Sequence, residues 1–304
     1  MNFVAISADG RIVASNGNVP GTDDAALGLW TFPAGDFLRS VAGHPVAISA
    51  DFRYLANEAG VLDLQTGAWI FQLSRPPDFL RAAAFSPDGD AVAIVAGSRA
   101  GARHHAQITV QSTADRSRTT SFGSRYAQAL AFHPDGETLA SGHWNNVTLW
   151  HARTGVRQAL LKSPQRAVDP TSYHREGRYI TGVAFSPDGE IVAAGSDDGE
   201  LQIWNVGDQT LRHSLNIGWS DVSKPAFSPD GTLVAAGTYA DGTASLVEVA
   251  SGAIVSRLQV SMFGCGSVAF SLDGRYLVAP SNGGLLANGT YDHGGSIRVL
   301  RVTP

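Results

Sequence analysis

Along residues 178–217, apolar and polar positions alternate with the period of extended chain. RYITGVAFS is rich in β-branched and aromatic residues, EIVAAGS is apolar, and LQIWNV and TLRHSLNI alternate. PDG, DDG and GDQ fall between these runs, and such residues favour tight turns because Asp bonds its own backbone and Gly tolerates positive φ. The pattern predicts four antiparallel strands in about forty residues. It returns along the chain, and no amphipathic helical stretch of useful length interrupts it.

The clearest mark of that return is a short motif: Ala, then Phe or Ile, then Ser or His, then any residue, then Asp. It runs Ala5–Asp9, Ala47–Asp51, Ala84–Asp88, Ala131–Asp135, Ala184–Asp188, Ala226–Asp230 and Ala269–Asp273. Successive Asp positions lie 42, 37, 47, 53, 42 and 43 residues apart. Seven four-stranded units at this period predict an all-β fold, a seven-bladed β-propeller with antiparallel blades. The blades fall approximately at 1–43, 44–79, 80–124, 125–177, 178–220, 221–263 and 264–304, in one domain. The motif alanines suit the narrow axis where innermost strands converge. Ile6, Ile48, Phe85, Phe132, Phe185, Phe227 and Phe270 then point the other way and fill the space between neighbouring sheets. The seven Asp residues read as turn chemistry, although Phe52 stands where the turn Gly is expected.

Trp30, Trp150 and Trp204 close the third strands in LGLW, VTLW and LQIW. With SPDG and SDDGELQIW (196–204), they make the whole chain resemble the WD-repeat family. The Trp-Asp dipeptide of that family stands here as Trp-Thr, Trp-His and Trp-Asn. The resemblance implies a tetrad joining Trp to a Ser, a Gly-His histidine and an Asp. Blade five keeps Trp204 and Asp198, places Ala194 where the Ser belongs, and lacks the Gly-His; Gly43-His44 lies too close to its AISAD motif to match. Blade packing is therefore expected to rest on hydrophobic contact more than on tetrad hydrogen bonds. Tol-type and peptidase-associated propellers also repeat SPDG and stay open as alternatives.

Composition narrows the function. The chain is 43% hydrophobic and 16% charged, with no apolar run near the ~18 residues of a membrane span. Cys265 is the single cysteine, so no intrachain disulfide forms, and MNFVAIS lacks the basic start of a secretory leader. Cytoplasmic residence is expected, and the scarcity of Lys beside abundant Arg and Ala suggests a GC-rich bacterial genome. Counting back from each motif Phe or Ile places Asn2, His44, Arg81, Gln128, Thr181, Ser223 and Gly266 at the channel mouth. No carboxylate is among them, whereas a hard divalent cation needs charged oxygen ligands. His104, His105, Asp292 and His293 are read as exposed loop residues, since structural zinc takes four spaced ligands. There is no G-x-S-x-G, P-loop or dinucleotide fingerprint, and the glycine-rich SNGGLLANG (281–289) precedes no helix. No catalytic residue, metal or cofactor is therefore expected.

Three classes of function remain: a non-catalytic protein-interaction platform, which is favoured, a propeller enzyme acting on a small molecule, and a polyanion-binding module. Residues 99–178 carry 11 Lys or Arg against 5 Asp or Glu, leaving 11 against 22 elsewhere. An electropositive sector including Arg99, Arg103, Arg116, Arg118, Arg125, Arg166 and Arg175 follows, and an acidic protein partner is expected ahead of nucleic acid. Long loops at 17–25, 97–105, 163–177 and 281–295 should share one face, that of the blade crossings. Trp144, Tyr173, Trp219, Tyr239, Phe263 and Tyr291 fall on the same face and form the candidate binding arc with Arg99, Arg103, Arg166 and Arg175. Blade seven should have three strands, leaving residues 296–302 as an edge protected by Arg298, Arg301 and Pro304 and open to a partner's strand.

Overall fold

The computed structural model describes residues 3–17, 19, 26–72, 79–97, 107–115, 117–123, 127–164, 179–260, 264–281 and 296–302. Every regular element among them is a strand, and the strands form seven antiparallel sheets in chain order. The sheets span residues 4–42, 45–72, 79–123, 129–162, 180–216, 226–259 and 269–301. The third begins at Phe79, one residue ahead of the boundary read from the sequence. Six sheets have four strands and the last has three. The fold is a seven-bladed β-propeller.

The motif alanines explain the narrow axis. At six of the seven junctions the first strands of successive blades touch one another around the ring. At this radius Ala5, Ala47, Ala84, Ala131, Ala184 and Ala226 each pair with a second alanine, on the second strand: Ala14, Ala56, Ala93, Ala140, Ala193 and Ala235. All six of those second alanines are fully buried. Blade seven differs, since Ala269 pairs with Val278.

The Phe or Ile of each motif packs against the preceding blade. Phe185 joins the core between blades four and five with Leu149, Val183 and Trp204, and Phe227 joins the next core with Ile203 and Val234. Ile6 closes the circle by packing with Val4, Val13, Val278 and Ile297 between blades one and seven. Phe32 lies edge-on to Tyr276 across the same seam, and Val4 N donates to Ser267 Oγ at 2.8 Å. Side-chain packing of whole blades, rather than a shared sheet, thus joins the two ends of the ring.

The turns between first and second strands repeat one hydrogen-bonded device. In six blades the motif Ser hydroxyl donates to the Asp two residues on, from Ser7 to Asp9 through Ser271 to Asp273, at 2.5–2.6 Å. The same hydroxyl accepts the amide five residues on, which starts the second strand. In blade four, His133 replaces the Ser, and Nδ1 accepts the amide of Asp135. These bonds to the ionised form hold Asp9, Asp88, Asp188 and Asp230 below the usual carboxylate range, and Asp273, also paired with Arg275, falls to about 2. Phe52 takes φ +58° where Gly10, Gly89, Gly136, Gly189, Gly231 and Gly274 stand in the other blades. Burial of its ring in the core between blades one and two offsets that strain.

Candidate docking face

Hydrogen bonds assign the loops to opposite faces. On one face the turn after each first strand is bonded to the chain leaving the third strand: Phe32 N to Arg11 O, Leu64 N to Arg53 O, Val206 N to Glu190 O, Val249 N to Thr232 O, Val302 N to Arg275 O. The opposite face carries the crossings between blades and the turns between second and third strands. Between blades five and six it is tightly stitched. Ile217 N donates to Gly199 O, Val222 N to Ser196 O, Ser223 N to Gly237 O, and Tyr239 N to Asp221 O. Ala240 N adds a bond to Ser220 Oγ at 2.8 Å, and Thr181 Oγ1 donates to the carbonyl of Val222 at 2.6 Å.

On this rigid crossing Trp219 is 72% exposed and Tyr239, on the neighbouring turn, is 49% exposed. Tyr239 lies along Gly264, where an added Cβ would come 3.2 Å from the ring Cδ2. Trp144 is placed otherwise. It is half-buried, forms a β-bridge with Tyr179, and packs its ring 5.3 Å from the tyrosine ring. Tyr173, Phe263, Tyr291, Arg99, Arg103, Arg166 and Arg175 lie outside the described residues, as do Arg116, Arg125, His104, His105, Asp292, His293 and nearly all of the four long loops.

Of the expected channel ring, Asn2 is outside the described residues. Thr181 and Ser223 spend their hydroxyls on backbone groups. Lys224, which the motif count passes over, lies beside them, its backbone in a parallel bridge to Ser267. Gly182 makes this approach possible, since a Cβ there would meet Lys224 Cα at 2.5 Å. The lysine side chain is exposed, and desolvation where its backbone meets the neighbouring blades lowers its pKa. Among the described residues, no group of three His, Cys, Asp or Glu side chains is placed to hold a metal ion. Cys265 is buried and its thiol is pushed up to about 12, which removes it as a nucleophile at neutral pH. A cleft of about 790 Å³ on the turn face is lined by Asp188, Asp208, Asp230, His133 and Arg212. Asp188, Asp208 and Asp230 bond their own turns and sit below their ordinary range.

Comparison with known proteins agrees with this architecture. The profile of the WD domain, G-beta repeat, matches residues 119–151, 170–205 and 209–247. A WD repeat-containing protein of Schistosoma mansoni, SL1-17, is 32% identical over 150 residues, 49% of this chain and 44% of that protein. WD repeat-containing protein VIP3 of Arabidopsis thaliana is 25% identical over 206 residues, 64% of this chain and 50% of that protein. Telomerase protein component 1 of Mus musculus is 27% identical over 47% of this chain but 5% of its own length. The chain spans half or less of the length of these relatives. It is a WD-repeat β-propeller.

Blade four retains more of the WD-repeat hydrogen bonding than the sequence reading allowed. Trp150 Nε1 donates to Ser141 Oγ at 2.7 Å, and that oxygen lies 2.6 Å from His143 Nε2. The missed signal is Gly142-His143, a second Gly-His pair, which lies two residues beyond the serine. In blade five, Ala194 occupies the place of Ser141, and the indole nitrogen of Trp204 is buried with no hydrogen-bond partner. In blade one, Trp30 folds over Gly28, where an added Cβ would come 2.1 Å from the ring.

The last blade ends on an edge. Ser296–Arg301 pairs with Tyr276–Ser281 on one side and with no strand among the described residues on the other. Arg298, Val299 and Arg301 are exposed along it.

Proposed function

We propose that this WD-repeat propeller is a non-catalytic docking platform that engages a protein partner through the crossing face. The observation that carries the reading is Trp219: a large indole held 72% exposed by a crossing that is hydrogen-bonded along its length, with Tyr239 on the adjoining turn. A soluble fold rarely leaves an indole in water on a rigid segment, and aromatic side chains dominate interface energetics because they bury much area at small entropic cost. The arc extends in this reading through Trp144, Tyr173, Phe263 and Tyr291. Arg99, Arg103, Arg166 and Arg175 favour an acidic region of the partner over nucleic acid. A partner strand laid along residues 296–302 supplies a second contact by β-augmentation, bonding the unpaired amides and carbonyls of that edge. Cys265, buried and single, suits a reducing compartment, and we place the protein in the cytoplasm.

The test is affinity capture from native cells with the wild-type chain, the double variant Trp219→Ala/Tyr239→Ala, and Arg212→Ala on the turn face. Partners captured by the wild type should be lost with the double variant and kept with Arg212→Ala. Retention by the double variant, with circular dichroism unchanged, would rule out this face.

A further inference from the structure

The complete blades show what the edge of blade seven is shaped to receive. Counted along the ladder from the motif alanine, Ile297 holds the place of Ile108 in blade three and Leu201 in blade five, both fully buried. In five of the six four-stranded blades the fourth strand sets a large apolar residue against this place: Val41, Phe122, Leu161, Leu215 and Leu258. Each of the five joins the core between its own blade and the next. The core between blades seven and one holds Ile297 but no fourth-strand side chain among the described residues. The receiving side of the next blade repeats as well. The ring of Phe122 lies 5.1 Å from that of Trp150, and Leu161 shares a core with Trp204 and Leu211. In blade one the same ladder places hold Trp30, half-buried, and Phe37, exposed. Val299 is exposed two residues from Ile297, and Arg298, exposed between them, points to the other face of the strand. Apolar surface that fourth strands cover elsewhere is thus open to water at this seam.

We infer that this groove takes one extended segment of the protein partner, antiparallel to Ser296–Arg301, with leucine or phenylalanine opposite Ile297 and an acidic residue just before it, opposite Arg298. The apolar side chain enters the core between blades seven and one against Trp30 and Phe37, and the carboxylate pairs with Arg298 across the strands. Main-chain bonds alone accept any strand, and pockets for alternate side chains give the selectivity. The inference rests on the β-augmentation reading and names the sequence that the edge selects.

The probe is a labelled peptide copying residues 117–123, SRTTSFG, with the change Ser121→Glu, read by fluorescence anisotropy. In the register of blade three its phenylalanine falls opposite Ile297 and its glutamate opposite Arg298. The peptide should bind, and Phe122→Ala within it should weaken binding by about tenfold to hundredfold, the loss of a buried ring. Restoring the serine should weaken it by about twofold to fivefold. In the protein, Phe37→Ala should weaken binding by about twofold to tenfold, and Val299→Asp, at an exposed position, should abolish it with circular dichroism unchanged. Equal binding of the phenylalanine and alanine peptides, or binding unaffected by Val299→Asp, would overturn the inference. If no peptide binds while capture of the cellular partner is lost with Val299→Asp, the edge contact stands and the sequence preference falls. Capture indifferent to Val299→Asp, with no peptide bound, removes the edge contact as well. A dimer in sedimentation that Val299→Asp dissolves would assign the edge to a second copy and likewise overturn the inference.

Discussion

Ile203 in blade five and Val299 in blade seven hold the same place in the sheet ladder. Each lies on a third strand, two strands out from a motif alanine: Ala184, Ala193, Ile203 and Ala269, Val278, Val299. In blade five the ladder continues to His213, and Ile203 is fully buried; in blade seven it stops, and Val299 is 47% exposed. Both residues are β-branched and apolar, so the difference does not lie in their own chemistry. A third strand becomes core because a fourth strand and a neighbouring blade cover it. The same contrast appears in the cores. Eleven buried residues join blades four and five among the described positions, and three join blades seven and one. Among the described residues, the seam that closes the ring is thus the one with the smallest buried core.

The largest expected effect breaks that comparison directly. Ile203→Ala should cost about 2–5 kcal/mol, since it opens a cavity under a complete sheet, whereas Val299→Ala should stay within about 0.5 kcal/mol. Urea unfolding midpoints measure both, and equal losses would show that the edge is covered in solution. Phe52→Gly comes next. It restores the turn residue of the other blades and recovers about 1 kcal/mol of left-handed strain, but removes a ring worth about 3–5 kcal/mol of burial, for a net loss of about 2–4 kcal/mol. A more stable Phe52→Gly protein would mean that the ring contributes little to the core.

A smaller effect of opposite sign is expected at Ala194. Ala194→Ser gives the buried indole of Trp204 the acceptor that Ser141 gives Trp150, and should stabilise by about 1 kcal/mol. The thermal midpoint should rise, and a fall would show that the hydroxyl does not fit beside Gln202. The smallest effect is the acid response of the turns. Asp9, Asp88, Asp188, Asp230 and Asp273 are depressed in the folded state, so their contribution is complete above the unfolded value near 3.8 and is lost as pH falls toward the folded values, about 2 for Asp273. Stability should be flat with respect to these groups near neutrality and decline below about pH 4. Asp188→Asn should shallow that decline, as read by acid titration of tryptophan emission.

Local chemistry determined most of the architecture from the sequence alone. The Ser–Asp turn spans five residues, its bonds form wherever the motif occurs, and alternation then sets the strands that follow. Repetition did the rest, since seven such units bury their faces only against one another. The sequence also placed Ala194 at the point where Trp204 loses its partner. Contacts between distant residues were decided only in the tertiary structure. Trp144 and Trp219 both read as loop tryptophans, but Tyr179 of the next blade packs on the first, while the second is left in water. The backbone of Lys224 lies against the next blade because Gly182, 42 residues earlier, lets it close in. Burial and electrostatics are properties of what surrounds a side chain. For these residues the surroundings come from another blade, and no reading of the local sequence contains them.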